Sequence, residues 1–188
     1  PILWWSRDPR TVLLPAAGSV SRSLRRTLRR GKFEVSFNQD FRGVIAGCAG
    51  PRRDDAGTWI LPEMIEAYET LHNLGYAHSV EVWQDGQLAG GLYGVCGAAL
   101  GCAFFGESMF SRVSDASKVA LVALCRVLSE RGFALIDCQM YSPHLASMGA
   151  ESVPRRDFLR ELARATTTRC DTPWPTGRMP TPVLADDR

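Results

Sequence analysis

The sequence has no apolar run approaching the roughly 20 residues that a membrane-spanning helix needs. Its longest apolar stretches, such as VALVALC at 119–125, stop far short. No secretory signal and no internal repeat is visible. It has no CxxC pair: the cysteines, at 48, 96, 102, 125, 138 and 170, lie too far apart for that metal-ligand pattern. Reduced thiols of a cytoplasmic protein are therefore expected rather than a disulfide framework. The three histidines, at 72, 78 and 144, have neither ligand spacing nor a nearby GxSxG. Metal-assisted and Ser-His-Asp hydrolysis are left without their residues. A glycine-rich turn before the central helix is also missing. SRVSDASK (111–118) has no glycine, and acyl-CoA chemistry wants such a turn to cradle a pyrophosphate.

What is present describes an ordinary soluble globular chain. With 188 residues, 45% of them hydrophobic and 22% charged, it can build one compact domain, with or without a small appendage. It opens on Pro1 and the aromatic PILWW, which reads as a truncated or processed start. Short strands are expected at 2–6 and 11–14, separated by the RDPR turn. A helix capped by Ser19 should run to about Arg30, where Gly31 stops it. FEVSF reads as a strand, 39–48 as a helix, and GPRRDDAG as a surface loop. Pro62 fits the first turn of a helix with Met64, Ile65, Tyr68, Leu71 and Leu74 at helical spacing.

The strongest β signal is HSVEVWQ, then Asp85-Gly86, then QLAGGLYGV, a hairpin whose turn needs positive φ. LGCAFF at 100–105 is the next strand. The helix predicted over 115–130 is apolar nearly all round and belongs buried against the sheet. FALIDCQ is a further strand, HLASM and RRDFLRELARA are helices, and the Pro-rich tail from Thr172 should be irregular. The fold class is α/β (α+β), a mixed sheet flanked by helices. Residues 1–57 read as a small N-terminal part, 58–171 as the catalytic domain and 172–188 as a tail.

Two groups of residues carry chemistry. SRSLRRTLRRGK holds Arg22, Arg25, Arg26, Arg29, Arg30 and Lys32, with no acid between Asp8 and Glu34. On a helix the five arginines span roughly 140° of arc while Val20, Leu24 and Leu28 line another face. Such a stripe is either a solvated face or a polyanion site, and the absence of interspersed acids favours RNA phosphates. The second group is polar residues at the ends of apolar strands. Asp137 and Gln139 alternate onto one face at the end of LIDCQ, where open α/β sheets hold ligands. Glu107 sits between ALGCAFFG and SMF. A buried unpaired charge there costs several kcal/mol, so it needs a cation, a donor or water. Hydrogen-bonded strand closure and a structural ion pair remain the alternatives for these groups. The nearby Trp59, Phe104, Phe105, Met109 and Phe110 serve either as core or as pocket.

PILWWSRDPR, SRSLRR, GTWI, AYETLHNLGYAHSVEVW, GGLYGV, FFGESMFSRVSDASKVAL, LIDCQ and HLASMGAESVPRRDFL together resemble the leucyl/phenylalanyl-tRNA-protein transferase family. The resemblance runs from Pro1 to about Leu162. It implies a bacterial cytoplasmic enzyme with an acetyltransferase-like core and neither cofactor nor metal. Such an enzyme moves Leu or Phe, less often Met, from aminoacyl-tRNA to a protein's N-terminal Arg or Lys and so marks it for degradation. On that resemblance the arginine helix and Lys32 would hold tRNA. Trp59, Leu92, Phe104, Met109, Leu124 and Ile136 would line the pocket for the carried side chain. Glu107, Asp137 and Gln139 would form the catalytic polar centre. It also implies a further segment before PILWW that lends the pocket an aromatic. The alternatives from other classes are a non-catalytic RNA-binding module and an acyl-CoA N-acyltransferase.

Overall fold

The computed structural model describes residues 6–50, 58–97, 100–170 and 173–185. The strand expected at 2–6, apart from Ser6, and the loop expected at 50–57, apart from Gly50, lie outside them.

Strand β1 (Arg10–Leu13) is followed by helix α1 (Arg22–Arg29), with Leu24 and Leu28 turned inward. The cap is Ser21, not Ser19: the Ser21 hydroxyl accepts from the Leu24 N–H at 3.2 Å. The Ser19 N–H is taken by the Met148 carbonyl at 2.9 Å, a distant contact that shortens the helix by a turn's start. Gly31, at φ 63°, ends it as expected. β2 (Glu34–Phe37) leads to α2 (Phe41–Ala49), capped by Asp40, and Pro62 opens α3 (Pro62–Asn73). β3 (Ala77–Gln84) and β4 (Gln87–Val95) form the hairpin, with Asp85 at φ 50° and Gly86 at φ 76°.

β5 (Ala103–Ser111) continues well past the expected end at residue 105, so Glu107 lies within a strand. Cross-strand pairing to β4 as far as Ser111 carries it on through the polar residues. α4 (Ala116–Glu130) crosses to β6 (Leu135–Gln139), followed by α5 (Pro143–Ser147), β7 (Glu151–Val153) and α6 (Arg155–Ala165). The tail is more regular than expected. β8 (Met179–Pro180) pairs with Glu34 and Val35, and a 3-10 turn follows over Thr181–Leu184.

The strands form one eight-stranded sheet in the order β7-β1-β6-β5-β4-β3-β2-β8. β5 and β6 are parallel and the other pairs antiparallel. α4 supplies the crossover that a parallel pair requires. Period two then assigns the two faces. Leu13, Val35, Val80, Leu92, Phe104 and Ile136 pack with α4, while Ala77 and Tyr93 on the other face pack with Phe41, Val44 and Ile45 of α2 and with α3. Ala103 and Leu135, one residue off Phe104 and Ile136, pack with Phe158 of α6.

The expectation of reduced thiols is not met throughout. Cys102 and Cys170 form a disulfide with Cα atoms 5.4 Å apart, whereas Cys48, Cys96, Cys125 and Cys138 are free. The two bonded residues are 68 positions apart in the chain. Only folding of α6 back onto the start of β5 brings them together, through the Cys102 N–H to the Ala165 carbonyl at 3.0 Å. Among the described residues no helix is long and apolar enough to cross a membrane, and no His/Cys/Asp/Glu group could hold a metal ion.

Candidate active site

β5 and β6 run in register at Ala103–Leu135, Phe104–Ile136 and Phe105–Asp137, and their pairing ends there. A β-bulge sits on either side of this point. Tyr93 pairs with Ser108 and Gly94 with Gly106, so Glu107 is the extra residue of β5. Thr11 pairs with Gln139 and Val12 with Asp137, so Cys138 is the extra residue of β6. Bulges of this kind re-aim a side chain. Here they turn Glu107 and Gln139 toward each other across the parting strands. Gln139 stands in the left-handed region at φ 64°.

Asp137 is fully buried, at 0% exposure, and its two oxygens are committed. Arg10 Nε donates to Oδ1 at 2.9 Å and an Arg10 terminal nitrogen to Oδ2 at 2.6 Å. The Gln139 backbone N–H adds a third bond, to Oδ1, at 2.9 Å. The Gln139 Nε2 donates to the Gly106 carbonyl at 3.1 Å. Glu107 lies beside Tyr68 and Gln139. Burial raises the Glu107 pKa above the ordinary carboxylate range; the polar side chains of Tyr68 and Gln139 oppose that rise, Asp137 adds to it and Arg10 opposes it. Burial, with Glu107 beside it, pushes the Tyr68 phenol upward too. The Tyr93 hydroxyl is buried next to Tyr68, whose ring it meets edge-on at 5.1 Å. Among the described residues it has no hydrogen-bond partner.

Next to these groups lies a cavity of about 330 Å³, lined by Trp59, Leu92, Phe104, Met109, Leu124 and Ile136. Leu121, Leu145, Cys138, Met140 and Tyr141 complete the apolar wall, and Glu107 and Ser108 bring polar side chains to it. The volume is at the small end of the range for ligand sites, right for a group the size of an amino acid. Leu92 and Tyr93 are neighbours on one strand and face opposite sides of the sheet. Both line the cavity, which lies beside the point where β5 and β6 part. It is apolar along α4 and bordered by Glu107. Gly94 makes room for this wall, because a Cβ there would collide with the Phe104 ring.

All six residues that the family resemblance would place at the side-chain pocket line this one cavity, and so does Glu107. Asp137 and Gln139 stand beside it rather than in its wall. Arg10 and Tyr68 were missed, as was the exposed rim of Met140 and Tyr141. Arg10 and Tyr68 lie on elements far from LIDCQ and GESMF in the chain, so no local pattern signals them. The arginines gather separately: Arg22, Arg25, Arg26, Arg29 and Arg30 surround an open hollow of about 400 Å³ on α1. Lys32 is exposed just beyond.

Fold and site together define a mixed α/β protein with a ligand-sized cavity beside its parting strands, bordered by the half-buried Glu107 and next to the buried Asp137. Residues 12–163 match the family described as leucyl/phenylalanyl-tRNA protein transferase. The leucyl/phenylalanyl-tRNA–protein transferase of Aromatoleum aromaticum is 63% identical over 166 residues, covering 88% of this chain and 69% of the relative. That of Solidesulfovibrio magneticus is 55% identical over 190 residues, covering 94% and 76%. The chain belongs to the leucyl/phenylalanyl-tRNA-protein transferase family and is an enzyme of that family. Among solved structures, L-PGS from Bacillus licheniformis superposes with a TM-score of 0.47 at 10% identity, over 76% of this chain and 51% of the other. That likeness is too distant to carry an argument.

Proposed function

We propose that this chain transfers Leu or Phe, and less readily Met, from aminoacyl-tRNA to the α-amine of a protein's N-terminal Arg or Lys. The product would be a degradation signal made in a bacterial cytoplasm. The observation that carries the reading is the cavity beside the parting strands, apolar along α4 and bordered by Glu107. A Leu or Phe side chain suits the apolar half, where a chain unbranched at Cβ can enter straight. The acceptor's cation suits Glu107. The arginine hollow on α1 suits tRNA phosphates.

The chemistry asks little of the protein. The amine nitrogen attacks the ester carbonyl carbon, a C–N bond forms, the C–O bond to the ribose breaks, and the departing hydroxyl takes up the proton the amine loses. An aminoacyl ester is already activated, and an α-amine has a pKa of about 7.7–8.0, so much of it is neutral near pH 7.5. Holding both reactants in place supplies most of the acceleration. Gln139 has a definite part in this. Its Nε2 donates to the Gly106 carbonyl at 3.1 Å, and Glu107 lies beside the same side chain. The bond to Gly106 fixes the NH₂ end of the amide and leaves Oε1 turned away from it, ready to accept from the attacking amine. An amide is too weak a base to take that proton outright.

The test is transfer of labelled Leu or Phe from charged tRNA to a peptide beginning with Arg, beside the same peptide beginning with Ala. Arg-dependent labelling is the expected result. Equal labelling of both peptides overturns the acceptor rule, and labelling of neither overturns the reaction.

A further inference from the structure

The most strongly bonded side chain near the site is one that neither the pocket nor the polar centre accounts for. Arg10 begins β1, and its side chain is only 14% exposed. It grips both oxygens of Asp137, and its guanidinium lies 5.3 Å over the Phe158 ring of α6. The segment leading into it is fastened at two further points. Asp8 accepts the Arg155 N–H at the start of α6 at 3.0 Å, and the Arg155 side chain donates to the Ser6 carbonyl at 3.2 Å. Arg10 is therefore a fixed point, set by α6 and by the pairing of β1 with both β6 and β7.

What it fixes is Gln139. A non-glycine residue at φ 64° is in a sparsely populated region and persists only when its surroundings over-determine it. The bond from its N–H to Asp137 Oδ1 supplies one such constraint, and the same oxygen takes the Arg10 Nε bond, so Arg10 holds the carboxylate that receives it. We infer that Arg10 is a positioning residue of the transfer reaction. Its two-pronged hold on Asp137 commits that carboxylate to aiming Gln139, and leaves Glu107 as the carboxylate that meets the acceptor's cation. The inference rests on the reading of function above. It assigns Asp137 a neighbour inside the protein in place of a substrate.

The experiment is steady-state transfer by Arg10→Ala and Arg10→Lys, with guanidinium chloride at millimolar concentrations as a chemical replacement and thermal denaturation to fix the folded fraction. A misaimed group costs about 100-fold, so kcat of folded Arg10→Ala should fall by about that factor while KM for tRNA and peptide stays within about twofold. Added guanidinium should restore at least part of the lost kcat. Arg10→Lys keeps one contact of two, should fold where the alanine variant does not, and should lose kcat without KM. Unchanged kcat in a folded variant overturns the inference, as does a loss that tracks the unfolded fraction or that guanidinium does not relieve. Absence of transfer by the unaltered protein overturns the functional reading and the inference with it. Wild-type transfer with fully active Arg10 variants overturns the inference alone.

Discussion

Glu107 is ionisable in surroundings that resist ionisation, and the sign of that resistance makes a prediction. Burial raises its pKa, the neighbouring Tyr68 and Gln139 side chains and Arg10 oppose the rise, and Asp137 adds to it. A folded-state pKa above the unfolded value of about 4.3 means that the native state binds more protons than the unfolded one across that interval. Stability therefore falls as pH rises from the ordinary carboxylate range through the raised value. Glu107→Gln should melt at a higher temperature than the unaltered protein at pH 7, with the gain disappearing below about pH 4. The same change should raise KM for an Arg-initiated peptide by about 10- to 100-fold, the worth of a charged hydrogen bond, and leave tRNA affinity alone. Melting curves across pH beside peptide titrations read both effects. Together they describe a carboxylate kept at a cost in stability for the sake of a ligand. Glu107, Asp137 and Gln139 were legible because a polar residue closing an apolar strand needs an explanation. Arg10, 127 positions from Asp137, was not, because nothing in RDPR announces that β1 will lie antiparallel to β6.

At the scale of elements, α1 shows how a helix with little local support is held. Its inner face contributes Leu24 and Leu28 to the main core, and Thr27 bonds Asp115 at the start of α4 at 3.2 Å. The outer face is left to cations, with Arg22, Arg26, Arg29 and Arg30 exposed. Reversing two of them, Arg26→Glu with Arg29→Glu, should weaken aminoacyl-tRNA binding. It should also reduce the slope of log affinity against log salt by about 1.5, the loss of two phosphate contacts. Filter binding between 50 and 200 mM salt measures it, and melting temperature should hardly change because neither side chain is buried. The stripe was legible from spacing alone, and so was the hairpin turn at Asp85-Gly86. The two bulges were not. Period two predicts strands without irregularity, and only the partner strand reveals that Glu107 or Cys138 is an extra residue.

The whole molecule is tied together by contacts between segments far apart in the chain, and the tail is the clearest case. Its composition, rich in proline and small polar residues, promised irregular chain. Yet Trp174 stacks on His78 at 4.6 Å, packs tilted against Phe37 at 5.7 Å, meets Phe104 edge-on at 6.4 Å, and lies under the Arg131 guanidinium at 4.8 Å. Burial pushes His78 down to about 4, so at neutral pH the ring stacks as an uncharged imidazole. Phe104 belongs to the cavity wall, so the tail backs the wall directly. The Cys102–Cys170 disulfide anchors the chain just ahead of Trp174. Closing a loop of 68 residues removes entropy from the unfolded chain worth about 4 kcal/mol in the chain-entropy account. Unfolded without reductant, the protein should therefore offer four thiols to a thiol reagent, and six after reduction. Reductant should lower the denaturation midpoint of the unaltered protein. Cys102→Ser should start from the lower midpoint and not respond. Six reactive thiols without reductant would return the pair to the reduced state that the cysteine spacing implies, and the tail would then be held against Phe104 by the Trp174 ring contacts, by Arg131 and by the pairing of β8 with β2.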